Sequence, residues 1–319
     1  MKLRKLGWTG LELSVVGFGT WAAGGAGWKF GWGQQDDSDT QKAINEALDA
    51  GINWIDTAAV YGLGHAETVV GRAIKGMKNR PYIATKCSRL WNPDGSELYG
   101  SLKKDSIKKE CEQSLKRLGM ETIDLYQIHW PNPEGDLEEG WRAMTELKSE
   151  GKIRFAGVSN FSAEQMKKIS GIGRIASLQP PYSMLRRSIE DDQLPYCKAN
   201  NTGVVTYSPM EKGMLTVKFT REWAESLPEN DHRKLDSRFN EPELSKNLSL
   251  IEKLKGIAAD INITIAQLAI AWILRRPEIT SAIVGARKPG QILETAKAGE
   301  IELSGDVLKK IGEVITNEA

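Results

Sequence analysis

The stretch Ile52-Asn-Trp-Ile-Asp-Thr-Ala-Ala-Val-Tyr-Gly62 begins as a buried strand and closes on two ionisable side chains. Apolar residues fill nearly every position from Ile52 to Ile55, Asp56 follows directly, and Tyr61 comes five residues later. A carboxylate at the end of an apolar strand loses solvation energy unless a partner meets it. Asp56 is therefore either the cap of a turn or one part of a site.

Working outward, seven more short apolar runs share this character: VVGFG, YIATK, LYQIH, FAGVS, SLQPP, VVTYS and SAIVG. Amphipathic segments separate them. Residues 38–50 open with a Ser38/Gln41 capping-box pattern, place Ala43, Ile44, Ala47 and Leu48 on one face, and stop at Gly51. Residues 105–118, 137–150 and 162–169 repeat the design, the last with Ser162 and Gln165 as a second capping box. Regular alternation of strand and helix predicts a parallel sheet with helical crossovers. The first turn is rich in glycine but no helix follows it directly, which argues against a doubly wound dinucleotide fold. Eight units predict an α/β fold of the (β/α)8 TIM-barrel class in one domain spanning residues 1–319. A long charged loop at 209–237 and an additional helix at 243–255 exceed the simple repeat.

Bulk properties narrow the function. The chain of 319 residues carries 43 basic and 42 acidic side chains, so it lacks the basic field that nucleic acid or an anionic membrane requires. Cys87, Cys111 and Cys197 have no metal-ligand spacing and read as small apolar fillers in a reducing compartment. No continuous apolar segment follows the basic residues near Met1, and the apolar run at 263–274 is too short to span a bilayer. These features predict a cytoplasmic protein and leave its oligomeric state open.

In a barrel of this class the active site forms where the strands end. Strand two ends on Asp56, strand three on Lys86, strand four on His129, strand five on Ser159 and Asn160, strand six on Gln179, and strand seven on Tyr207 and Ser208. Each has an ordinary reading, as turn former, solvated strand end or packed ring. Four ionisable groups at three successive strand ends make a site the better reading, because the fold brings them to one mouth. The chemistry they permit is proton donation. A phenol titrates near ~10 in water, and the Lys86 ammonium is expected to lower that value, with Asp56 holding the lysine. A neutral His129 would donate to a substrate oxygen that gains charge. This suits carbonyl reduction, with hydride from a nicotinamide cofactor.

These residues carry a resemblance. Over essentially its whole length the sequence resembles the aldo-keto reductases, through GINWIDTAAVYGLGHAETVVGRAIK, YIATK, IDLYQIHWPNP, GKIRFAGVSNFSAEQM and SAIVGARKPGQILE, and is most similar to the bacterial and potassium-channel-β-like branch. The resemblance implies that Asp56, Tyr61, Lys86 and His129 form the catalytic tetrad. It implies that Ser159, Asn160 and Gln179 bind the nicotinamide carboxamide, that Tyr207 stacks on its ring, and that Ser208, Met210, Gly213 and Leu215 cover the pyrophosphate. The first 14 residues would form a hairpin closing the barrel bottom. At the adenine end Gly285, Arg287, Lys288, Gln291 and Glu294 are the matching positions. Pro289 suits a first helical turn, and a phosphate there would meet free N–H groups and two cations, Arg287 and Lys288. That favours NADPH, with weaker use of NADH. The chain departs from the family in having Gly285, Gln291 and Thr295 where a basic residue, an arginine and an asparagine are common.

On the substrate side Trp21, Trp28, Phe30 and Trp32 lie among seven glycines from Gly17 to Gly33, with Trp91 and Trp130 in later loops. They are candidates for the wall of an apolar pocket without a carboxylate-binding arginine, suited to small aldehydes and ketones of varied shape. Two rivals stand beside this reading: an aldolase in which Lys86 forms a Schiff base, and an NADP(H)-binding sensor or regulatory subunit with weak turnover.

Overall fold

The computed structural model describes residues 1–228 and 231–318. Eight strands close into one parallel barrel: β1 (Val16–Gly19), β2 (Trp54–Asp56), β3 (Tyr82–Cys87), β4 (Ile123–Ile128), β5 (Ile153–Ser159), β6 (Ser177–Gln179), β7 (Gly203–Thr206) and β8 (Ser281–Gly285). Neighbours in sequence are neighbours in the barrel, and β8 pairs with β1 to close it. The register sets Gly19 beside Asp56, Asp56 beside Ala84, Lys86 beside Gln127, and Ser159 beside Gln179. The polar strand ends therefore share one rim. The (β/α)8 expectation holds.

Parallel strands covered on both faces read as unbroken apolar runs, which is why all eight were visible in the sequence. The helices obey their signals less uniformly. Ala163–Ser170 carries the Ser162/Gln165 capping box, with Ser162 Oγ accepting from the Gln165 N–H at 3.1 Å. Lys104–Leu118 stops at Gly119, whose φ of 66° is the left-handed conformation of a helix end. The first helix, Asp37–Asp49, differs from expectation: its cap is Asp36, which accepts from the Ser38 N–H at 2.7 Å, and not Ser38. Aspartate and serine both cap well, and the chain places the aspartate first. The extra helix runs Glu243–Asp260. It packs with the C-terminal helix Gly305–Glu318 and with Ile265–Leu274, whose ten residues are all buried. A helix apolar on every face needs such cover. Among the described residues no single helix is long and apolar enough to cross a membrane.

The barrel bottom is closed by the expected hairpin, Leu3–Lys5 against Glu12–Ser14. Leu6, Leu11 and Leu13 join Trp54, Ala84, Leu125, Ala176, Val205 and Ile283 in one apolar cluster. The Arg4 guanidinium ties the hairpin to the carbonyls of Leu274, Arg276 and Ile279. Within this cluster the Trp54 indole packs against Gly17, where a Cβ would stand 2.2 Å from the ring. Only glycine admits the ring there.

One element escaped the sequence reading. Arg89–Trp91 and Leu98–Gly100 form an antiparallel hairpin after β3. Its tip is the turn Asn92-Pro-Asp-Gly95, in which the Gly95 N–H donates to the Asn92 carbonyl at 2.9 Å. That turn signal flanked by alternating residues was present in the sequence, but three-residue strands are too short to assert a period.

Candidate active site

The rim of the barrel holds the four ionisable groups together. Lys86 Nζ donates to both Asp56 oxygens, at 2.9 and 2.8 Å, and to the Thr57 carbonyl at 2.9 Å. It also stands 3.4 Å from the Tyr61 hydroxyl. Lys86 and Asp56 are 1% and 3% exposed, so each charge depends on the other. Gln179 reaches across the barrel and donates its amide to Asp56 Oδ1 at 2.8 Å. Glu67 lies behind the lysine, accepting from the Thr85 hydroxyl and the Arg117 guanidinium.

Tyr61 is held from several sides. Its ring stacks on Trp21 at 6.3 Å, meets Trp28 at 6.1 Å, and faces the edge of His129 at 5.9 Å. The following residue, Gly62, has φ 59° and touches Gly24 backbone to backbone; a Cβ on Gly62 would come within 2.3 Å of the Gly24 carbonyl oxygen. Two glycines thus let the loop after β1 and the loop after β2 meet beside the phenol.

The electrostatics correct one expectation. Burial, with the nearby Asp56 carboxylate, pushes the Tyr61 phenol well above its ordinary value. The lowering expected from Lys86 does not prevail against burial and the carboxylate. Burial also pulls Lys86 down, against the opposing pull of Asp56. The His129 ring is held well below its usual range by burial, and by the positive charges of Lys86 and Arg89. At neutral pH the rim therefore presents a protonated phenol and a neutral imidazole, both hydrogen-bond donors.

A cleft of about 1000 Å³ runs from Tyr61 and His129 to Arg287, Gln291 and Glu294. Ser159, Asn160, Gln179, Tyr207, Ser208, Met210, Gly213 and Gly285 also line it. The Tyr207 hydroxyl donates to Asn160 Oδ1 at 2.9 Å, and the Asn160 amide donates to the His129 carbonyl at 3.0 Å. Asn160 and Ser208 adopt positive φ, 63° and 56°, a strained backbone typical of ligand-contacting positions. Leu215 is fully buried in the core and Lys288 lies outside the lining. The sequence reading missed Lys212, Lys218, Arg186 and Arg89, all on the cleft wall. The lysines stand in the loop after β7, of which residues 229 and 230 lie outside the described part; the loop is irregular and offered no periodicity to place them.

The adenine end is arranged differently from expectation. The N–H groups there are not free: those of Arg287 and Lys288 donate to Gln291 Oε1 at 2.8 and 3.0 Å, and that of Gly290 to Glu46 Oε2 at 2.6 Å. The helix Gln291–Ala296 is preceded by Gly290 with φ 83°, and not opened by Pro289. The Arg287 guanidinium donates to the Gln34 carbonyl at 2.6 Å and to the Gln35 side chain at 3.2 Å.

Of the candidate substrate residues, Trp21, Trp28, Phe30, Trp32 and Trp130 line the cleft. Trp91 does not. It sits on the β3 hairpin, packed toward Trp28 and Val60, and lines a separate surface cavity of about 810 Å³ with Tyr99. Arg89 and Leu98, which share a hairpin face with Trp91 in this register, do line the cleft.

A barrel with a phenol, an ammonium, a carboxylate and an imidazole on its rim, beside an elongated cleft with an aromatic wall, has the parts of a nicotinamide-dependent oxidoreductase. Comparison with known proteins gives the family. The Aldo/keto reductase family model matches residues 15–316. Aldo-keto reductase YhdN of Bacillus subtilis (strain 168) is 38% identical, over 97% of this chain and 92% of its own. The NADH-specific methylglyoxal reductase of Escherichia coli (strain K12) is 36% identical, over 95% of each chain. The solved glycerol dehydrogenase AKR11B4 of Gluconobacter oxydans superposes with a TM-score of 0.88 at 37% identity, covering 97% of this chain and 93% of that one. The chain belongs to the aldo/keto reductase family, whose members use nicotinamide cofactors.

Proposed function

We propose that the protein reduces aldehydes and ketones to alcohols, with NADPH as hydride source and Tyr61 as the proton donor. The observation that carries this reading is the Lys86 ammonium bound to both Asp56 oxygens and 3.4 Å from the Tyr61 hydroxyl. A reduced nicotinamide, when bound, supplies hydride to the carbonyl carbon. Ser159, Asn160 and Tyr207 would hold its ring end, the loop from Ser208 to Gly213 its phosphates, and Arg287, Gln291 and Glu294 its adenosine end. The residues fit such a group: the cleft is long enough to reach from the tetrad to Arg287, and Tyr207 offers a flat face with its hydroxyl already fixed.

In this reading the carbonyl oxygen takes hydrogen bonds from the Tyr61 hydroxyl and the His129 ring. Charge that grows on that oxygen is stabilised where water is scarce. The Tyr61 proton then passes to it, and the phenolate left behind faces Lys86. A phenol with a raised value keeps its proton until the oxyanion develops, which suits an acid in reduction. The lysine is poorly placed for a Schiff base, because all its neighbours are acceptors that hold its protons.

The test is NADPH oxidation with 4-nitrobenzaldehyde. Turnover within the ordinary enzyme range supports the proposal; turnover below the order of 0.01 per second overturns it in favour of a cofactor-binding sensor. Cofactor choice has its own test. Arg287→Ala is expected to raise the NADPH dissociation constant by roughly 10-fold or more and that of NADH by less than about 3-fold, as loss of one charge-assisted hydrogen bond implies. Equal effects on the two would remove Arg287 from the 2′-phosphate. Because Gln291 and Glu46 engage the nearby N–H groups, NADH remains a second cofactor in this reading.

A further inference from the structure

The hairpin after β3 carries a cation into the cleft. Arg89, its first residue, shares the cleft wall with Leu98, His129 and Trp130. Its side chain is half-buried, and among the described residues no carboxylate pairs with it and no acceptor takes a hydrogen bond from its guanidinium. Four other partly buried arginines are engaged by partners. Arg4 meets three carbonyls, Arg117 meets Glu67, Arg275 meets the Trp272 carbonyl and ring, and Arg287 meets Gln34 and Gln35. Neighbouring carboxylates are engaged elsewhere. Glu110 accepts from the Ser88 N–H at 2.9 Å and from the Ser106 hydroxyl at 3.2 Å, and Asp56 is held by Lys86 and Gln179.

Leaving a guanidinium partly desolvated without a partner costs free energy. Burial indeed pulls Arg89 down, and its charge helps to keep His129 neutral. Neither Leu98 nor Trp130 beside it on the cleft wall carries a side-chain acceptor that could offset the cost. It is offset when an anion arrives, which the planar fork of arginine can bind through two parallel hydrogen bonds.

We infer that Arg89 anchors an anionic group, a carboxylate or a phosphate, on the carbonyl substrate. The preferred substrates are then charged aldehydes and ketones, such as oxo acids or aldehyde phosphates. This replaces the sequence-based expectation of a pocket without a carboxylate-binding arginine. The word substrate rests on the reductase reading; the anion site does not.

Two substrate pairs separate the sources of charge: 4-carboxybenzaldehyde against 4-nitrobenzaldehyde, and glyceraldehyde 3-phosphate against glyceraldehyde. Arg89→Met is expected to lower kcat/KM for the charged member of at least one pair by roughly 10-fold or more, mainly through KM. The neutral member should change by less than about 3-fold, and Arg89→Lys should keep part of the preference, since a charged hydrogen bond outweighs a neutral one. A loss shared equally by charged and neutral members, or no loss at all, overturns the inference. Binding of terephthalate and of glycerol 3-phosphate, read by tryptophan fluorescence without cofactor, tests the site independently of turnover. Loss of anion binding in Arg89→Met with no turnover of any carbonyl would keep the anion site and remove the reductase reading. Unchanged anion binding removes the site whatever the turnover. Thermal unfolding serves as the folding control, and Arg89→Met should be at least as stable as the parent, because no intramolecular partner is lost.

Discussion

Tyr61→Phe is expected to abolish carbonyl reduction, if the protein is the reductase proposed above, and to leave NADPH binding nearly intact. The substitution removes one hydroxyl, whose only neighbour among the tetrad side chains within hydrogen-bond reach is Lys86 Nζ at 3.4 Å. The ring contacts with Trp21, Trp28 and His129 survive in phenylalanine, so the loop and the cleft wall keep their positions. What disappears is the proton donor, worth roughly 10²–10⁴-fold in rate for a positioned general acid. His129, being neutral, still donates a hydrogen bond but has no proton to spare. Fluorescence titration with NADPH alongside NADPH oxidation separates the two effects. Loss of cofactor affinity in the variant would show that the hydroxyl is structural.

Lys86→Met has the larger consequence for the protein as a whole. Asp56 would keep its Gln179 hydrogen bond but lose the ammonium that satisfies both its oxygens, at a 3% exposed position. Breaking a buried pair from one side costs about 3–5 kcal/mol, and activity is expected to vanish with it. Adding Asp56→Asn should recover much of the stability and none of the activity, because the uncompensated charge is gone while the acid remains unsupported. Urea unfolding of the two single variants and the double variant measures the coupling. Any residual alcohol oxidation, which requires the phenolate of Tyr61, should move to higher pH in Lys86→Met. The phenol would then face Asp56 without the opposing cation, and its raised value would rise further. An unchanged pH profile would contradict the pairing.

The barrel and its rim were legible in the sequence for a physical reason. A parallel strand buried on both faces is apolar over most of its length, so Asp56, Lys86, Gln179 and Ser159 at or next to the strand ends stand out against apolar runs. The adenine end was not legible. Glu46 and Gly290 lie 244 residues apart, and nothing local in either segment announces that the glutamate accepts the glycine's N–H. Arg233, placed by its fold between the rings of Trp32 and Trp223 at 4.6 and 4.8 Å, is likewise a product of tertiary approach. The Tyr61 value failed from sequence for a related reason. The pairing of Lys86 with Asp56 was readable, but the complete burial of the phenol, which dominates its shift, was not.

The backbone contact between Gly24 and Gly62 bears on how such an enzyme can be retuned. One loop supplies the tryptophan wall and the other supplies Tyr61, the proposed proton donor, and they touch backbone to backbone. Their positions are consequently coupled as two gears are. Exchanging Trp21, Trp28 or Trp32 for smaller residues reshapes the space available to a ligand at fixed gear positions. Lengthening or shortening either loop turns both gears, and carries the phenol away from Lys86 and His129. Selectivity in this protein can be redesigned through side-chain volume, whereas changes of loop length move the acid as well.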